Sequence, residues 1–137
     1  MATKKLGFVI RTLPYKIEGS RLAMTHAISS QTVEIYLEDG DLVEPVVCFI
    51  GDGVLNCLKN QQAMKNYGIT SLEQHVKNSL LLDLNVLICK EDVDKFGIKE
   101  DALVMDAEDI GGETKAKIVP FSEIQKAMES VDHLLFC

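Results

Sequence analysis

A chain of 137 residues has the length of one domain, and 47% hydrophobic residues beside 26% charged ones suit a globular fold with its own core. The net charge of −7 argues against direct electrostatic binding of nucleic acid or an anionic membrane. No apolar run approaches the roughly 20 residues of a membrane span, and the N-terminal lysines lead into only about five apolar residues, shorter than a secretory core, so a cytoplasmic protein is expected.

Residues 5–11 (Lys-Leu-Gly-Phe-Val-Ile-Arg) are too continuously apolar for a half-exposed strand and read as a first buried one. Thr12-Leu13-Pro14-Tyr15 is a loop, because Pro14 biases its predecessor away from helix. Gly19-Ser20 opens a helix over about 21–32, with Ala23/Ala27 and Met24/Ile28 spaced i,i+4 on one face. Gly40 and Pro45 bracket a turn, and Val46 to Ile50 form a second buried strand. Gly51-Asp52-Gly53 follows at once. It lacks the Gly-Lys-Ser/Thr of a phosphate loop, so it reads as a tight strand-to-helix turn needing positive φ, with a small-ligand or nucleotide site on Gly51, Asp52 and Gly53 as the alternative.

Val54 to Leu58 begins a short helix, and Asn60 to Gly68 is polar, a loop or frayed helix and a candidate lid. Ser71-Leu72-Glu73-Gln74 has capping-box spacing, and its helix presents Leu72, Val76, Ser79 and Leu80 on one face before ending near Asp83. His75 rides on that helix, exposed or partly packed. Asn85 to Cys89 is a buried strand that ends on a thiol, and a short helix after it closes at Gly97. The acidic stretch from Ile98 to Lys115 has room for a brief strand at Leu103 to Met105, and Lys117 to Val119 for another, stopped by Pro120. Ser122 to Gln125 repeats the capping-box spacing, and Ile124, Ala127, Met128 and Val131 make the clearest amphipathic helix. His133 to Cys137 closes the chain as a strand. Strands and helices in alternation, with apolar strands, predict a three-layer α/β/α sandwich on a mainly parallel sheet of about five strands, with residues 1–137 as one domain.

The cysteines are Cys48, Cys57, Cys89 and Cys137. No Cys-x-x-Cys pair occurs, and the spacing fits neither a zinc site nor, in a reducing compartment, a disulfide framework. No metal and no cofactor are expected, which leaves thiol chemistry or packing. Cys89 stands at the carboxyl end of a strand, where open parallel sheets gather ligands and chemistry. Against that, free cysteines are often small buried core residues. Lys90 and the amides of the following helix would favour its thiolate, whereas Glu91, Asp92 and Asp94 would raise its pKa. Cys57, beyond the glycine turn, and Cys137, at the end of the last strand, are secondary thiol candidates that also read as packing or bystander residues.

Phe49-Ile50-Gly51-Asp52-Gly53-Val54 resembles the Phe-x-x-Asp-Gly-Val strand and turn of the DsrE/DsrF/DsrH (TusD/TusC/TusB) sulfur-relay proteins. Cys89, with Gly97 and Ile98 behind it, is similar to the stretch holding the sulfur-carrying cysteine of the DsrE and TusD subunits. Asp132-His133-Leu134-Leu135-Phe136 resembles the family's terminal strand, so the likeness covers nearly the whole chain. It implies a small α/β subunit in trimers or hexamers, homomeric or heteromeric, whose partners are sulfur-donor and sulfur-acceptor proteins. By position, Cys89 would accept sulfane sulfur as a persulfide and pass it on, a sulfurtransferase-like carrier. The glycine turn looks more like the DsrF/TusC branch, whose subunits need not carry sulfur, and this gives the alternative of a non-catalytic partner subunit.

Overall fold

The computed structural model describes residues 3–14, 18–32 and 42–137. In chain order it forms β1 (Thr3–Ile10), α1 (Gly19–Thr32), β2 (Leu42–Phe49), a 3-10 helix at Gly51–Cys57, α2 (Ala63–Tyr67), α3 (Glu73–Leu81), β3 (Asn85–Cys89), α4 (Lys90–Lys95), β4 (Lys117–Val119), α5 (Phe121–Ser130) and β5 (His133–Phe136). The strands join one five-stranded sheet in the order β4-β3-β2-β1-β5, every pair parallel. Connections from β1 to β4 step in one direction, and α1 and α3 pack against each other. The last connection runs back across the sheet, and α5 lies over β1 and β3. Right-handed crossovers then put α5 on the face opposite α1 and α3. The three layers follow.

The core sits where the continuous apolar runs place it. Phe8, Ile10, Val47, Phe49 and Ile88 are buried in the three central strands, as are Met24 of α1, Val76 and Leu80 of α3 and Ile124 of α5. The predicted face of α3 is the buried one, Leu72 and Ser79 included. Strand β5 departs from the expectation of cover on both faces. Three of its four residues are exposed, with Leu135 and Phe136 about half so. It is an edge strand held to β1 alone.

Other expectations give way to tertiary context. Pro45 lies inside β2 and not at a turn, opposite Leu6 of β1; pairing with β3 begins only at Val46, so no ladder on that side meets the missing N–H. Gly40 and Tyr15 fall outside the described residues. Neither capping box forms. Helix α3 starts with Leu72 as its N-cap, Gln74 bonds Asn78, and Ser71 only receives the Glu73 amide at 3.3 Å. Helix α5 starts one residue early, at Phe121 after Pro120, which places Ser122 within the first turn. Its first amide donates to the carboxylate of Glu91, 3.0 Å to each oxygen, a cap supplied from 30 residues away. The triplet Leu103–Met105 forms no strand: Leu103 makes an antiparallel bridge to Leu58, and the Met105 carbonyl accepts the Ala116 amide. The polar stretch after Asn60 contains the helical turn α2, stopped by Gly68 at φ +69°.

Candidate functional site

The carboxyl ends of β1, β2 and β3 meet at a set of short, specific bonds. The Ile50 amide donates to the Ile10 carbonyl at 3.0 Å, which ties the exit of β2 to the exit of β1. Gly51 then turns the chain at φ +54°, as expected of a glycine here. Gly53 is required for a different reason. A Cβ on it would lie 1.9 Å from the Ile10 carbonyl oxygen, because the 3-10 helix rests directly on the β1 backbone. Asn56, fully buried, fastens the same corner by donating from Nδ2 to the carbonyls of Thr12 (2.8 Å) and Gly53 (3.1 Å).

Cys89 ends β3 and serves as the N-cap residue of α4, with Gly97 at φ +66° just past the helix end. The strand-then-short-helix reading of this stretch holds. The thiol is not at the surface, however, for Cys89 is only 2% exposed. Burial pushes its pKa up to about 11; the Asp92 amide acts in the other direction, while the Asp92 and Glu91 carboxylates push it further up. The carboxylates that follow the cysteine are structural partners as well as charges. Asp92 Oδ2 accepts the Gly51 amide at 2.7 Å, and Glu91 caps α5. Lys90 does not stand over the thiol as a lone cation: its ammonium pairs with Asp94 at 3.3 Å on the exposed face of α4.

The structure therefore brings Cys89, Gly51 and Gly53 into one corner through Asp92, with Asp52 exposed on the turn. Both glycine amides are occupied, Gly51 by Asp92 and Gly53 by the Ile50 carbonyl at 2.9 Å, so neither is free to cradle a phosphate. Cys57 is buried completely, which drives its thiol pKa far upward, and its carbonyl accepts the Val104 amide. Cys48, one residue before the end of β2, is pushed up to about 11 by burial alone. Cys137 is partly covered, its backbone clipped to β1 through Val9 and Arg11; burial raises its pKa and the Arg11 guanidinium opposes that. His75 is half-buried on α3 with Nδ1 unpartnered, and burial and then Arg21 lower its pKa. Among the described residues no group of three or more His, Cys, Asp or Glu side chains is placed to hold a metal ion, and no helix is long and apolar enough to cross a membrane.

Sequence reasoning missed Asp92, Glu91 and Asn56 as positioning residues. A carboxylate at the second and third positions after a strand-ending cysteine was a visible signal, but its partners, Gly51 and Phe121, lie 41 and 30 residues away. It also missed a cleft of about 250 Å³ lined by Lys59, Glu73, Lys77, Asp106 and Asp109, in which Lys77 pairs with Asp109 at 2.8 Å.

A buried thiol leaves a measurable mark. With the other cysteines replaced, alkylation of Cys89 in the native chain is expected to rise with a midpoint near pH 11, as against the ordinary 9.0. At neutral pH it should run on the order of a hundredfold below a free cysteine. Since the folded pKa lies above the unfolded one, the stability tied to the neutral thiol is complete below about pH 9 and falls as pH rises towards 11. A midpoint at or below that of free cysteine would show an activated thiol.

The likeness to known proteins runs along most of the chain. Residues 4–136 match the family model described as the DsrE/DsrF-like family. The chain is 30% identical over 110 residues, 77% of its own length and 83% of the relative's, to a protein named Protein TusC homolog from Aliivibrio fischeri (strain ATCC 700601 / ES114). Its fold is similar to that of the ychN protein from E. coli, with a TM-score of 0.66 at 20% identity, covering 98% of this chain and 99% of that one.

Proposed function

The chain belongs to the DsrE/DsrF-like family, and from that premise we propose that it is a sulfur-relay subunit of the DsrF/TusC kind, supplying surface and scaffold to an oligomeric complex while another chain carries the sulfur. The observation that carries this reading is the state of Cys89. Cys89 is 2% exposed and the Asp92 and Glu91 carboxylates oppose ionisation of its thiol, whereas a sulfur carrier needs an accessible thiolate. The likeness to a TusC homolog supports it, as does the Gly51-Asp52-Gly53 turn. The open edge of β5, with Leu135 and Phe136 half-exposed, offers apolar surface to sulfur-donor, sulfur-acceptor or sister subunits.

A second reading has one observation in its favour. Cys89 ends the strand and caps α4, the placement at which a helix terminus acts on a thiol, and a persulfide carrier would use it there. Intact-mass measurement after incubating the full chain with polysulfide separates the two. The expected result is no added sulfur on Cys89 in the native protein, with any loading confined to the partly covered Cys137. One sulfur that is lost with Cys89→Ser and kept with Cys57→Ser or Cys137→Ser would establish the carrier instead.

A further inference from the structure

Helix α4 has six residues, too few to hold itself together. Its seating comes from tertiary bonds. Val93 plugs into the core at 4% exposure, and two carboxylates reach outward to opposite sides. Asp92 Oδ2 takes the Gly51 amide at 2.7 Å, just past β2. Glu91 takes the Phe121 amide at 3.0 Å, just past β4. Strand β3 lies between those two neighbours, so α4 is strapped down on both flanks of the strand that ends at Cys89. Neither bond belongs to the sheet. Both join backbone amides at element ends to side chains of one short helix.

We propose that α4 is a strap closed over Cys89 by these two carboxylate–amide bonds, and that their release uncovers the thiol while the sheet stays folded. The strap goes beyond the subunit role argued above and does not rest on it, because it concerns access to the sulfur atom and not what is loaded there. Cys48 is buried in β2, and Cys57 is buried at the end of the 3-10 helix, which Asn56 holds to Thr12 independently of α4. They act as internal controls: a local opening leaves them shielded and global unfolding does not.

The experiment uses the full chain carrying Cys137→Ser, labelled with iodoacetamide, with rates at Cys48, Cys57 and Cys89 read by peptide mass spectrometry. In the parent all three label slowly. Asp92→Ala is expected to speed Cys89 by about tenfold or more, the loss of one charge-assisted bond, and Glu91→Ala by several-fold. Removing a carboxylate also eases ionisation of the thiol, so a third variant leaves the charges alone. Phe121→Pro deletes the N–H that Glu91 accepts, at a first helical position that suits proline. Pro120 before it is already extended at φ −60°, ψ 153°. Phe121→Ala keeps the N–H and controls for the lost ring. Cys89 labelling faster in Phe121→Pro than in Phe121→Ala, with Cys48 and Cys57 unchanged, is the expected result. The strap is overturned if Cys89 does not accelerate, if all three cysteines accelerate together, or if only the charge-removing variants respond. Should Asp92→Ala fail to fold, the Phe121 pair still decides.

Discussion

Gly53→Ala is expected to leave the chain unfolded, or to cost at least about 3–4 kcal/mol, more than ordinary overpacking of a core. The added methyl would stand 1.9 Å from the Ile10 oxygen, 2.6 Å from its carbon and 3.0 Å from the Arg11 Cα, and all three are backbone atoms. No side chain can turn aside. Relief requires the 3-10 helix to lift from β1, which breaks the Ile50–Ile10 bond and pulls Asn56 from Thr12. A domain of this size has only about 5–15 kcal/mol to lose. Gly51→Ala gives the contrast: it meets open space, and its φ of +54° makes the expected cost about 1 kcal/mol. Urea denaturation of the two variants beside the parent measures both, and a Gly53→Ala protein within 1 kcal/mol of the parent would refute the close approach.

Asn56→Asp, a change of one amino group to oxygen, is expected to cost about 3–5 kcal/mol at pH 7. The Nδ2 donors now satisfy two backbone carbonyls, a buried one and a part-buried one. An oxygen there would face both without a proton to offer, as part of a buried, unpaired carboxylate. That acid's folded pKa must lie above its unfolded value of about 3.9. The deficit is then smallest below about pH 4, where the acid is protonated in both states and its hydroxyl restores one of the two bonds. It grows as pH rises from there to the folded pKa. Urea midpoints of variant and parent, compared at pH 4 and pH 7, give the test: a gap that is no narrower at pH 4 means that the carboxylate reaches solvent.

The residues that announced the fold were those whose pattern is local. The runs at Phe8–Ile10, Val46–Phe49 and Val86–Cys89 are too apolar for anything but buried parallel strands, and the spacing of Leu72, Val76 and Leu80 marks the inner face of α3. What the sequence concealed was set by distant partners. Ser122 had the spacing of a cap, but Pro120 and the carboxylate of Glu91 start the helix one residue earlier. Pro45 looked like a turn because the missing N–H forbids a fully paired strand, and nothing local says that β3 pairing begins one residue later. Gly53 was legible as a glycine of the turn. Its reason, contact with a carbonyl 43 residues earlier, was not. The candidate site was half legible in the same way: Cys89 lies at the strand end that its flanking residues predict, while its burial depends on Asp92, Glu91 and the corner they bind.

The β1–β5 pair also says something about synthesis. Strand β5 lies beside β1, and the bond from the Lys5 amide to Asp132 joins residues 127 apart. Strands β1, β2 and β3 emerge from the ribosome first and can align with one another, but β1 waits for its second neighbour until nearly the whole chain is made. At about 5–20 residues per second that wait is on the order of ten seconds. For that time a strand whose second half, Phe8 to Ile10, belongs to the core has an open edge, able to pair with any extended segment of another nascent chain.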